Sequence, residues 1–235
     1  MLLLYGPPGI GKRELLLESQ RVASQPKSWV RFRCVPQSRL EEVFAQLLVR
    51  LGENAEVPKE IDSQLFSRVV DAAKRSRVNV LIFEDAHFLP IFRDHQDHAH
   101  LLAFLAHICG PTHSMPKVIF VSNHKGHLQF SGSHRMDVFH LPGLEAEYVI
   151  EIIQEHLPAP STKYEPPSVD EMSTLAKKIH GHPFMAKLAA VVLEESSIEE
   201  VIEKLYSRVE TKEFVLGRLL NGISLTSDER SFLQF

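Results

Sequence analysis

Apolar residues in the first part of the chain fall into two alternating kinds of segment. Short apolar or alternating runs predict β-strands, and longer stretches with apolar residues three or four positions apart predict amphipathic helices. Strands that alternate with helices predict an α/β fold in which a parallel sheet is covered on both faces. The five predicted strands are the apolar run that begins at Met1, Trp29–Val35, Val78–Phe83, Lys117–Ser122 and Met136–Leu141, and the helices between them are Arg13–Ala23, Gln37–Gly52, Ser63–Ser76 and His100–Cys109.

From Glu145 onward the pattern predicts helices alone. We therefore place a boundary near Pro142 and predict three parts: an αβ domain at 1–142, a helical domain at 143–210 and the start of a further, truncated module at 211–235. The helices of the second part are Glu145–His156, Ser168–His180, Phe184–Glu194 and Ile198–Val209.

The first strand leads into a glycine-rich turn at Gly6–Lys12, with the sequence GPPGIGK. In the phosphate-binding loop G-x-x-x-x-G-K-[ST], backbone N–H groups surround the phosphates of a nucleotide and the lysine reaches the β- and γ-phosphate oxygens. Strand, turn and lysine therefore predict a nucleotide site. Its predicted binding residues are Gly6, Pro7, Pro8, Gly9, Ile10, Gly11, Lys12, Arg13 and Glu14.

The position after Lys12 departs from the motif, because it holds Arg13 where the motif has serine or threonine. The hydroxyl of that residue normally binds Mg²⁺. Two interpretations remain open: the Arg13 side chain lies outward on the first helical turn, or its guanidinium lies near the β-phosphate and partly replaces the charge of the metal. In either case we expect nucleotide binding to persist, Mg²⁺ to be a doubtful cofactor, and hydrolysis to be slow or absent.

Two acidic residues, Glu84 and Asp85, follow the apolar residues VLIF of the third strand. At the carboxyl end of a strand beside a phosphate-binding loop, one acid holds Mg²⁺ through water and the next orients the attacking water. Glu84 therefore takes the metal position and Asp85 the catalytic position, which reverses the usual order of aspartate and glutamate. Each carboxylate is displaced by about one methylene, and misplacement on this scale slows catalysis.

Two further positions have both a structural and a functional interpretation. Asn123 follows the fourth strand, where an asparagine either contacts the γ-phosphate and positions water or is only a turn residue. The segment His180–Pro183, with the sequence HGHP, joins two predicted helices. It is a glycine C-cap followed by a proline helix start. In the functional interpretation it also lies over the nucleotide, so that the angle of the helical domain depends on what is bound.

Composition narrows the class of protein. With 235 residues and a net charge of −4, the chain is long enough for a sizeable core and lacks the basic excess of a general nucleic-acid-binding surface, which leaves nucleic acid without support as a partner. Its two cysteines, Cys34 and Cys109, are far apart and indicate a reducing compartment. No apolar run approaches the roughly 20 residues of a membrane span, and the apolar start at Leu2 is too short for a signal peptide. We expect a cytoplasmic protein.

The two ends of the sequence fall inside predicted elements. Met1 falls directly on the first strand, and Phe235 stands inside what the pattern predicts as a helix. We therefore expect the chain to be a piece of a longer protein.

Taken together, these segments resemble one known class of ATPase. GPPGIGK, VLIFEDAH, VIFVSN and LPGLEAEYVIEII, with GHPFMAKLAAVV in the helical part, are similar to the signal-transduction ATPases with numerous domains (STAND), which are related to AAA+ ATPases. The resemblance implies a P-loop NTPase with a five-stranded parallel sheet in the order 5-1-4-3-2. It also implies an all-helical lid at 143–210 and the start of a winged-helix module at 211–235.

The same resemblance implies ligands, partners and roles. ADP holds such proteins in a closed monomer, whereas ATP favours an open form that associates with itself, and sensor and effector domains lie outside the matching segment. Carried over to this sequence, the loop glycines and Lys12 bind phosphate, and Glu84 and Asp85 take the roles of the acidic pair. Asn123 takes the role of the sensor and Pro183 that of the lid contact. Replication-initiator AAA+ ATPases are less similar, because their lid helix carries an arginine, whereas the residues His182–Lys187 that follow Gly181 include none.

Three functions follow as hypotheses. The first is an ATP- and ADP-binding regulatory switch, the core of a larger signalling or defence ATPase with slow or impaired hydrolysis. The second is a motor or loader ATPase of the AAA+ type that acts on nucleic acid, and the third is a pseudo-ATPase scaffold for protein interactions. Nucleotide affinity separates the third from the other two, and turnover stimulated by DNA would favour the second.

Overall fold

The computed structural model describes residues 1–23, 28–36, 39–89, 98–108, 116–125, 136–157, 167–193 and 196–206. The chain divides into two compact units. The first contains Met1–Pro7 and Glu14–Leu141, and the second combines Pro8–Arg13 with the residues from Pro142 onward. Within the described part of the chain, every helix is too short or too polar to cross a membrane.

Five parallel strands form the sheet of the first unit. Their order across the sheet is β2-β3-β4-β1-β5, and each neighbouring pair is parallel. Seen from the other edge, this is the order 5-1-4-3-2, so the predicted α/β fold with its parallel sheet is confirmed. The strands are β1 (Leu2–Tyr5), β2 (Trp29–Arg33), β3 (Val80–Glu84), β4 (Lys117–Ser122) and β5 (Asp137–His140).

Four described helices belong to the connections between these strands, and they lie close to the predicted positions. The second begins later than predicted, with Arg39 at its N-cap, and residues 37 and 38 of the predicted helix lie outside the described residues. The third begins where Asp62 accepts a hydrogen bond from the Leu65 N–H at 2.8 Å, a side-chain cap that the prediction missed. The helices are α1 (Lys12–Val22), α2 (Leu40–Arg50), α3 (Ser63–Arg75) and α4 (His98–Ile108).

Alternation along the strands divides their side chains between the two faces of the sheet. On β3, Leu81 and Phe83 belong to the larger apolar cluster. Val80 and Ile82 belong to a smaller cluster together with Leu4 of β1. Because both faces of β3 are covered, its sequence is continuously apolar up to its carboxyl end. Helices α2, α3 and α4 contribute packed aromatic rings to the larger cluster: Phe44, Phe66 and Phe104.

The second unit contains four helices, whose starts have clear local causes. The second helix of the unit follows a capping box, in which Ser168 and Glu171 bond to each other's backbone N–H groups. The third begins with proline, whose fixed φ suits the first helical position. Residues 207–210 of the last predicted helix and the predicted winged-helix start at 211–235 lie outside the described residues. The helices are α5 (Ala146–His156), α6 (Val169–Ile179), α7 (Pro183–Leu193) and α8 (Ile198–Tyr206).

Candidate functional site

Three neighbouring strands of the first unit end in the residues that the sequence singled out. Strand β1 leads into Gly6, whose N–H donates to the Ser122 carbonyl oxygen at 3.3 Å. Strand β4 leads into Asn123, and β3 ends at Glu84. Because β3, β4 and β1 are adjacent and parallel, their carboxyl ends lie at one edge of the sheet, where ligands bind in open α/β folds.

The glycine-rich loop adopts a conformation that needs its glycines. Gly9 and Gly11 have φ angles of 77° and 97°, in the left-handed region that other residues rarely adopt. A Cβ added at Gly11 would meet no heavy atom within 4 Å, so the space beside its backbone is open. Lys12, only 6% exposed, is the first residue of α1. Backbone N–H groups at the start of a helix form a ready anion site.

In the second unit, this loop is in contact with the turn His180–Pro183, which we call the lid turn. His182 Nε2 lies 2.8 Å from the carbonyl oxygen of Pro8 and donates to it. A Cβ added at Gly9 would lie 2.9 Å from His182 Cε1, so any other residue at this position would displace the histidine ring. The sequence resemblance assigned the lid contact to Pro183, which is the first residue of α7. The hydrogen bond to the loop is made by the residue before it, and the role of Pro183 toward a nucleotide stays a prediction.

The tautomer of His182 follows from its two neighbours. Its Nε2 donates to the Pro8 carbonyl, and its Nδ1 accepts from the Met185 N–H at 3.4 Å. Both bonds together require a neutral ring with its proton on Nε2. Burial lowers the pKa of His182, the bond to Pro8 opposes this, and the nearby charge of Lys12 lowers the pKa further.

This lowered pKa predicts that the second unit loses stability in mild acid. As the pH falls, His182 of the unfolded chain takes up a proton near its ordinary pKa of about 6.5, before the folded chain does. The stabilisation is therefore complete above about pH 6.5 and is lost as the pH falls toward the lower pKa of the folded state. We expect His182→Gln to make the unfolding free energy less dependent on pH between about pH 7.5 and 5.5. Urea unfolding of both proteins across this range measures the difference, and equal slopes would contradict the prediction.

Two arginines of β2 hold the acidic pair at the end of β3. Arg33 is in register with Glu84, and alternation places Arg31 on the same face of the sheet. Arg31 Nη1 lies 3.5 Å from Glu84 Oε1. Arg33 Nε donates to Asp85 Oδ2 at 2.8 Å. Asp85 is therefore hydrogen-bonded to a guanidinium, whereas Glu84 has one at ion-pair distance without a hydrogen bond to its Oε1 atom among the described residues; sequence reasoning missed both contacts.

Asn123 is also held in place by a neighbour of the acidic pair. Its amide nitrogen lies 3.2 Å from His87 Nε2. Because this nitrogen can only donate, the His87 ring accepts at Nε2. His87 is 7% exposed and follows Asp85 by two positions in the segment VLIFEDAH. The predicted sensor therefore has a fixed orientation.

The residues present do not fit a Mg²⁺ ion bound in the usual way. The position of the hydroxyl ligand holds Arg13, a partly buried residue. Its Nε is buried and has no hydrogen-bond partner among the described residues. Glu84 and Asp85 are engaged by arginines. Across the described ranges, no group of three or more His, Cys, Asp or Glu side chains is arranged to hold a metal ion.

Comparisons with known proteins give one family match and several similar solved structures. The model of the AAA domain family matches residues 1–127, whereas no curated protein matches the chain. A solved STAND protein with a tetratricopeptide repeat sensor, from Pyrococcus horikoshii, has 19% identity and a TM-score of 0.57, with 92% of this chain and 31% of that chain covered. The Walker-type ATPase of Pyrococcus abyssi has 14% identity and a TM-score of 0.58, with 94% of this chain and 70% of that chain covered. At these identities the similarity concerns the fold, and the chain spans less than a third of the first structure.

Proposed function

The chain belongs to the AAA domain family, and we propose that it is an ATP- and ADP-binding regulatory switch in which hydrolysis is slow or lost. In this proposal the αβ domain at 1–142 binds the nucleotide and the lid at 143–210 responds to it. The chain would be the core of a larger signalling or defence ATPase that associates with itself in the ATP state. The structurally similar STAND protein carries a tetratricopeptide repeat sensor, and in this proposal sensor or effector domains likewise lie outside this chain.

The observation that carries the proposal is the hydrogen bond between the lid turn and the phosphate loop. His182 donates to the carbonyl of Pro8 within the loop, and Lys12 is close enough to affect the pKa of His182. A ligand shifts a conformational equilibrium only through different contacts in the two states. A γ-phosphate bound to the loop would add negative charge near His182 that ADP does not supply. ATP and ADP would therefore favour different arrangements of the lid turn.

We expect slow hydrolysis because both acidic residues at the catalytic positions contact arginine side chains. Asp85, at the position that orients the attacking water, is hydrogen-bonded to Arg33. Glu84, at the metal position, is paired with Arg31. Misplacement of a catalytic group by about 1 Å costs on the order of 100-fold, and a typical enzyme turns over about 10 times per second. We therefore expect turnover of ATP below about 0.1 per second.

Binding and turnover of the 235-residue chain test the proposal together. Calorimetric titration gives the affinities for ADP and ATP, and steady-state phosphate release gives the turnover. Hydrogen exchange of the lid turn, measured with each nucleotide, reports whether the turn responds to the γ-phosphate. We expect binding of both nucleotides, turnover below about 0.1 per second, and stronger exchange protection of the lid turn with one nucleotide than with the other.

Other outcomes would favour the remaining functions. Fast turnover that DNA increases would indicate the motor or loader ATPase. Absence of binding to either nucleotide would indicate the scaffold. Equal protection of the lid turn with ADP and ATP, with both nucleotides bound, would contradict the switch.

A further inference from the structure

Arg31 lies in an unusual environment for a charged side chain. It is 20% exposed, and its Nε and Nη2 atoms are buried without a hydrogen-bond partner among the described residues. Its Nη1 is 3.5 Å from Glu84 Oε1. A guanidinium removed from water to this degree depends on an opposite charge nearby. Glu84 supplies that charge.

The sheet itself holds Arg31 in this position. Arg31 is in register with Ile82 of β3, which is fully buried and belongs to the smaller apolar cluster. The partly buried Trp29, two positions earlier on β2, packs against the same cluster. The charged pair therefore borders apolar side chains, where a Coulomb interaction is stronger than in water.

The nearby Arg31 reduces the ability of Glu84 to bind a cation. Mg²⁺ is bound through carboxylate oxygens and demands near-ideal geometry, and it loses its waters reluctantly. Here the Arg31 guanidinium already lies 3.5 Å from the Glu84 carboxylate. A divalent ion at Glu84 would be repelled by the guanidinium, or would displace it and leave it buried without its counter-charge.

We propose that Arg31 takes the place of Mg²⁺ beside Glu84, so that nucleotide binds with nearly the same affinity whether or not divalent cations are present. The inference rests on the proposed nucleotide site and specifies which positive charge stands beside the acid at its metal position. It differs from charge replacement by Arg13, because it assigns a positive charge to the end of β3. Removing the charge of Arg31 should take away this positive charge beside Glu84 and create a dependence on Mg²⁺ that the natural chain lacks.

Calorimetric titration of ADP, with EDTA and with millimolar magnesium chloride, tests the inference on the full chain. For the natural chain we expect the two dissociation constants to agree within about threefold, and for Arg31→Gln we expect Mg²⁺ to tighten binding about tenfold. Paramagnetic resonance of Mn²⁺ provides a readout independent of affinity. With ADP present, Arg31→Gln should bind the ion and the natural chain should not. Arg68→Gln is the matched control. It also removes a guanidinium from an ion pair, but Arg68 lies on α3 and its partner is Glu53, so the pair involves neither β2 nor β3.

Each result bears on a separate part of the inference. Affinity of the natural chain that falls tenfold or more in EDTA overturns the inference and leaves nucleotide binding intact. Affinity of Arg31→Gln that stays independent of Mg²⁺, in a variant that melts as the natural chain does, overturns the role of Arg31. Lack of ADP binding by the natural chain in both conditions overturns the proposed function as well. If Arg31→Gln fails to fold, the natural chain can still overturn the inference, because affinity that depends on Mg²⁺ contradicts it.

Discussion

Replacement of Lys12 by methionine is expected to weaken the binding of ADP and ATP roughly 100-fold. Lys12 begins α1 and is 6% exposed, next to loop glycines in left-handed conformations. A hydrogen bond to a charged group contributes about 1.5–3 kcal/mol, which corresponds to about 10- to 150-fold in affinity. Methionine is unbranched and apolar like the lysine stem, so the change removes the charge with little loss of packing. Calorimetric titration of both nucleotides measures the effect.

Lys117→Met is the control for this variant. Lys117 is exposed and begins β4, so it lies at the amino edge of the sheet, opposite to the edge that leads into the phosphate loop. We expect this variant to bind both nucleotides as the natural chain does. An effect of Lys12→Met below about threefold, which is under 1 kcal/mol, would show that the loop is not the phosphate site.

Replacement of Gly181 by alanine is expected to destabilise the second unit by about 3 kcal/mol or more. Gly181 has a φ angle of 73°, and a left-handed conformation costs other residues about 1–2 kcal/mol. A Cβ at this position would also clash with the Leu144 carbonyl oxygen. The Leu144 N–H donates to the Gly181 carbonyl at 2.7 Å. Because the neighbouring atoms are backbone, relief of the clash would disturb this hydrogen bond, and forced displacement costs about 1–3 kcal/mol more.

Gly52→Ala separates the two contributions. Gly52 has a φ angle of 86°, but a Cβ there would meet no heavy atom within 4 Å. We expect this variant to lose only the conformational part, about 1–2 kcal/mol. Urea unfolding of the two variants and the natural chain measures both values. Equal losses would show that the close approach of Gly181 to Leu144 contributes nothing.

Most of the fold follows from local patterns in the sequence. The apolar run VLIF predicts a strand with both faces covered, because only a buried parallel strand can accommodate continuous apolar side chains. The observed strand, Val80–Glu84, ends at the acid that the prediction placed after it. Helix ends were predicted to within a few residues, since caps such as Ser168 and stops such as Gly181 act within one turn. The order of the strands came from the resemblance to a known class, not from these local patterns.

The contacts within the candidate site could not be predicted in the same way. Alternation in WVRFR places Arg31 and Arg33 on one face of a strand. Their partners, Glu84 and Asp85, lie about 50 residues later and become neighbours only because β2 and β3 pair. A search for basic side chains on the predicted neighbour of the acidic strand would have found them.

The contact of His182 with the loop could not be predicted from local patterns either, because its partner is even farther away in the sequence. His182 is 174 positions from Pro8, and its sequence context explains it fully as part of a helix-joining turn. For Gly9 the sequence already gave one reason, since the loop motif explains the glycine by phosphate binding. The structure adds a second reason, because a Cβ at this position would collide with the ring of His182.

The sequence by itself determined the class of fold, the phosphate loop and the altered residues at Arg13, Glu84 and Asp85, because each is a matter of residue type and short-range spacing. The tertiary structure alone decided which charges compensate one another and which turn is in contact with the loop. Ion pairs and buried hydrogen bonds depend on distances of a few ångströms between residues far apart in the chain. Those distances are set by strand register and helix packing, not by neighbours in sequence.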